Sequence, residues 1–74
     1  GGEVRDLYTV PNGQVTEMIL DSKEERLFVA SSDGVNSWIY VLSVLVNDFG
    51  TLKEDPLQMS GKIVSMTKTG SWKF

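Results

Sequence analysis

The chain has no cysteine and no histidine. Without cysteine there are no disulfide staples, no thiol nucleophile and no thiolate metal site, and nothing points to an oxidising compartment. Without histidine the Ser-His-Asp and Cys-His arrangements are excluded, and zinc loses both of its preferred ligand types. An excess of basic charge is missing as well: seven Lys and Arg face ten Asp and Glu, for a net charge of −3. The cations are scattered, so the footprint that a phosphate backbone requires is not there. The longest apolar run, Trp38–Val46, is broken by Ser43 and falls far short of the roughly 20 residues that span a bilayer. No charged start followed by an apolar core reads as a signal peptide, which favours the cytoplasm or nucleus as the expected location. With 74 residues, the expectation is one small domain near the lower limit for a self-sufficient core.

What is present is β-forming sequence organised around Val15–Val46. Val15–Asp21 and Arg26–Ser31 are rich in β-branched and other apolar residues, and polar Ser22–Glu25 between them has hairpin-loop length. A turn at Ser31-Ser32-Asp33-Gly34 leads into a third strand, Trp38–Val46. Gly34 accepts φ > 0 there without steric cost, and Asp33 can hydrogen-bond its own turn. On the third strand Ile39, Val41 and Leu45 fall on one face, and Trp38, Tyr40, Leu42, Val44 and Val46 on the other. The second strand repeats this with Leu27 and Val29 against Phe28 and Ala30. Two apolar faces imply that something packs on each side of the sheet.

The flanks fit the same class. Gly1-Gly2 is expected to be a cloning remnant or flexible end, leaving 3–74 as one β domain. Glu3–Val10 fits a short strand, and Pro11-Asn12-Gly13 is a turn. Asn47-Asp48-Phe49-Gly50 reads as a second turn, Thr51-Leu52 as a brief return to the sheet, and Leu57–Met59 as an edge strand after Pro56. Gly61–Met66, Thr69-Gly70 and Ser71–Phe74 suggest one further hairpin arm. No stretch has helical periodicity, so the chain is read as all-β, an antiparallel meander. A small SH3-like or OB-like barrel is the alternative.

An internal repeat adds to this. GQVTEMILDSKEERLF from Gly13 aligns with GKIVSMTKTGSWKF from Gly61, 48 residues later. Gly13 meets Gly61, Val15 meets Ile63 and Met18 meets Met66, and a period of about 40 to 50 residues is that of a propeller blade. The chain here resembles a β-propeller repeat, with one unit from about Gly13 to Ser60 and the start of the next. It departs from the WD-repeat form, having neither a Gly-His nor a Trp-Asp, and from the kelch form, having no Gly pair within the unit. The resemblance implies blades packed face to face, a scaffold that binds partners through its loops and ring faces, and no catalysis. Because propellers use about 4–8 blades, it also implies that this unit belongs to a larger ring or assembles with other copies.

Each candidate functional residue has a competing structural role. Asp48-Phe49-Gly50 spells the magnesium-binding triplet of kinases, but no other kinase motif accompanies it and the turn reading prevails. Asp21, Glu24 and Glu25 could form a carboxylate pair or hold calcium, yet Lys23 and Arg26 interleave with them and the spacing is not that of an EF-hand. Asp33, beside Ser31 and Ser32, could hold a ligand at a loop mouth, against a turn-forming role. Trp38 and Tyr40 share a face and could stack a base or a proline-rich peptide, but their aliphatic neighbours favour packing. Trp72 could mark an interface. Asp33, Trp38, Tyr40 and Trp72 are therefore the candidate partner-binding residues. The expected partner is a protein or further copies of the same unit. Nucleic acid and membrane are disfavoured, and no cofactor, metal or catalytic residue is indicated.

Overall fold

A computed structural model of the chain describes residues 10–61, 65–66 and 72–73. The proposed first strand over Glu3–Val10 lies almost wholly outside these residues. The elements in order are β1 (Gln14–Asp21), β2 (Arg26–Ser32), β3 (Asn36–Ser43), a 3-10 turn (Val46–Asp48), β4 (Leu57–Ser60), β5 (Ser65–Met66) and β6 (Trp72–Lys73). The first four strands form one antiparallel sheet in the order β1-β2-β3-β4, and β5 pairs with β6 in a separate two-stranded sheet. The all-β meander is thus the observed architecture, and the expected final hairpin is present. The barrel alternative is not met among the described residues: β1 and β4 are the two edges of an open sheet, and β4 reaches only the first four residues of β3.

Strand alternation explains where the core sits. Phe28, Ala30, Ile39 and Val41 are buried together on one face, with Ile19 and Met59 against them. Val29, Trp38, Tyr40 and Leu42 are buried on the other, with Val10, Val15 and Leu27. The pairing of Phe28 with Val41 and of Val29 with Tyr40 sets neighbouring side chains in register on each face. Full burial of such a side chain is worth about 1.5–3 kcal/mol, so both sides of the sheet contribute to stability. A sheet with one wet side would use only one.

Two local features depart from the simple strand reading. Register shifts between Val15 and Glu17, so Thr16 is an extra, unpaired residue whose hydroxyl donates to the Ala30 carbonyl at 3.4 Å. Such a bulge reverses the alternation, which is why Val15 packs on the face of Val29 while Ile19 packs on that of Phe28. The second feature is the end of β3, which stops at Ser43 and does not run to Val46. Ser43 Oγ accepts the Leu45 N–H at 3.1 Å and donates to the Asp48 carboxylate, and these bonds turn the chain out of the sheet. It returns where Leu52 bridges Leu42 and the Lys53 N–H donates to the Val41 carbonyl at 2.8 Å. Thr51-Leu52 accordingly extends the sheet, as expected.

Candidate functional site

The sequence candidates are placed apart from one another. Asp33 sits in the β2–β3 turn, where its Oδ1 accepts the backbone N–H of Val35 and of Asn36, each at 2.8 Å. Those donors hold its carboxyl below the usual carboxylate range. Ser32 completes the turn by accepting the Gly34 N–H at 3.1 Å and donating to the Asn36 carbonyl at 2.9 Å. Gly34 has φ 95°, as this turn requires. The Asp33 oxygen that accepts these two bonds therefore serves the turn.

Trp38 and Tyr40 are side by side on the second face, 9% and 0% exposed. Enclosed to that degree, neither ring offers a face for stacking, and both contribute to the core. The Ser31 hydroxyl, cross-strand from Trp38 and fully buried, has no hydrogen-bond partner among the described residues. Trp72 lies in β6, opposite Met66. Its side chain is outside the described residues.

At the opposite end of the sheet two loops lie together. The β1–β2 hairpin is closed by Asp21 and Arg26, which face each other in register with Nε to Oδ2 at 3.0 Å. Asp21 Oδ1 also accepts the Glu24 N–H at 3.3 Å, and the Arg26 guanidinium lies 4.7 Å from the centre of the Phe28 ring. Burial pushes the Asp21 carboxyl up, but Arg26 and the loop N–H groups outweigh it and the net displacement is downward. Beside the hairpin runs the excursion after β3, tied to it by the Val44 N–H donating to the Glu25 carbonyl at 3.2 Å. The excursion is pinned further by Gly50 N–H to the Ser43 carbonyl and Ser43 N–H to the Thr51 carbonyl, both at 2.8 Å.

Chemically, this end is an ordered surface. Asp21 and Asp48 are each bound by a neighbouring side chain. No group of three or more acidic side chains converges on a metal-sized space among the described residues. What the sequence reading missed is that Leu45, Val46 and Phe49 stand in solvent, 40%, 94% and 56% exposed. The signal was there: Ser43 interrupts the apolar run, and Asn47-Asp48-Phe49-Gly50 supplies the turn that follows it. No helix among the described residues is long and apolar enough to cross a membrane.

Fold and site together define a class: an open antiparallel four-stranded meander, buried on both faces. Comparison with family models, curated proteins and solved structures gives no match, so the functional reading rests on the chain's own chemistry.

Proposed function

We propose that the chain is a non-catalytic structural and protein-interaction module, a blade-like unit of a β-propeller scaffold together with the start of the next unit. The observation that carries the reading is the position of the second hairpin. The 48-residue alignment matches Glu17 and Met18 of β1 with Ser65 and Met66 of β5, and β5 lies beside β1. Successive blades around an axis bring equivalent strands together in this way. The aligned glycines, Gly13 and Gly61, both take positive φ, 65° and 93°. Burial on both faces of a four-stranded meander is the further support, since blades are covered on each side.

The partners in this reading are other units of the same ring, in this chain or in further copies, and proteins bound at the loops. Sedimentation equilibrium over a concentration series tests it. Association into a discrete closed oligomer is expected, with a subunit number that fits a ring. A monomer at every concentration with one cooperative unfolding transition would instead make this a self-contained small domain.

A further inference from the structure

The excursion after β3 exposes apolar side chains that folding leaves unused. Leu45, Val46 and Phe49 fall within one short turn, and five backbone hydrogen bonds together with the Ser43 hydroxyl hold that turn in place. A turn fixed in this way needs no ordering when something docks on it. Its surroundings are acidic. Glu24 and Glu25 are exposed on the adjoining hairpin and Asp48 within the turn itself. Against them stand Lys23 in the hairpin loop and Lys53 where the chain rejoins the sheet, followed by Glu54 and Asp55, while Arg26 is paired with Asp21, so carboxylates remain in excess.

We infer that this end of the sheet docks a basic, apolar segment of a partner protein, with Leu45, Val46 and Phe49 taking its apolar residues and Glu24, Glu25 and Asp48 facing its Lys or Arg. The charge selects this occupant. A phosphate backbone or an anionic bilayer is repelled by the carboxylates, and a second copy of this chain, with its net charge of −3, brings a like-charged rim. The surface is separate from the two sheet faces. The inference rests on the chain being an interaction module, but the solution mass that tests that reading does not enter the binding test below.

Three labelled peptides of equal length are the probes: one alternating Leu and Lys, one Leu and Glu, and one Ser and Lys. Fluorescence anisotropy should show the Leu–Lys peptide binding at least about tenfold more tightly than either of the others. The double variant Val46→Ser, Phe49→Ser should lose about tenfold or more of that affinity with an unchanged circular dichroism spectrum, and Val46→Ser alone, at a side chain in open solvent, should lose part of it. Glu24→Gln with Glu25→Gln should flatten the salt dependence. A Leu–Lys peptide that binds no better than Ser–Lys, or equally well to the Val46 and Phe49 variants, overturns the proposal.

Discussion

The two ends of the sheet use the same hydrogen-bond device for opposite purposes. At the β2–β3 turn Ser32 Oγ accepts the N–H of the residue two positions on, Gly34, and Asp33 caps the turn. At the exit of β3, Ser43 Oγ accepts the N–H two positions on, Leu45, and bonds Asp48. One turn is short, built of small and polar residues, with Gly13 pressed against its backbone. The other turn is longer and carries Leu45, Val46 and Phe49 outward. At both ends a serine and an aspartate help to redirect the chain, and the other residues of the turn decide whether it is only a connection or also a surface.

The most severe way to break the comparison is to remove the sheet that joins the two ends. Val41→Asp places a charge on a face where Val41 is 5% exposed, and should cost more than about 4 kcal/mol in chemical denaturation, with both ends lost together. Gly13→Ala acts at the tight end alone. Its Cβ would stand 2.5 Å from the carbonyl carbon and oxygen of Ser32 at φ 65°, so a loss of about 2–4 kcal/mol is expected, read by thermal unfolding.

Ser43→Ala acts at the open end, stripping Leu45 N–H and Asp48 of a partner; a loss of about 1–3 kcal/mol is expected. Acid acts at both ends, since Asp21 at the open end and Asp33 at the tight end are each held below the ordinary carboxyl value. The folded pKa of Asp33 is depressed, so its contribution is present above the ordinary carboxyl value near about 3.9 and disappears as pH falls through the folded value. Urea unfolding from pH 6 downward should show stability declining below about pH 4, with a shallower decline in Asp33→Asn. Smallest of all, Val46→Ser should change unfolding free energy by no more than about 0.5 kcal/mol, because that side chain is 94% exposed.

Much of this fold was legible in the sequence. The alternation of Phe28 and Ala30 with Leu27 and Val29, and of Ile39 and Val41 with Trp38, Tyr40 and Leu42, assigns both faces correctly, because the β2–β3 register runs without a bulge and period-2 geometry holds along it. Asp33 and Gly34 announced their turn. The bulge at Thr16 was hidden because an extra residue leaves composition unchanged and only the partner strand reveals it. The end of β3 was misplaced because Val44–Val46 have strand propensity, whereas the Ser43 hydroxyl acts on backbone groups that no propensity scale records. For the candidate site the pattern was weaker. Asp33 lies in the turn expected of it and Trp38 and Tyr40 in the core, but the exposure of Leu45, Val46 and Phe49 depends on where the backbone goes after leaving the sheet.

The most direct test of the repeat is the contact between β1 and β5. In an isotope-labelled sample, nuclear Overhauser contacts should join protons of β1 to those of Ser65 and Met66, marking the second unit as beginning alongside the first. A β5–β6 hairpin without contacts to β1, relaxing independently of the four-stranded sheet, would contradict the propeller reading.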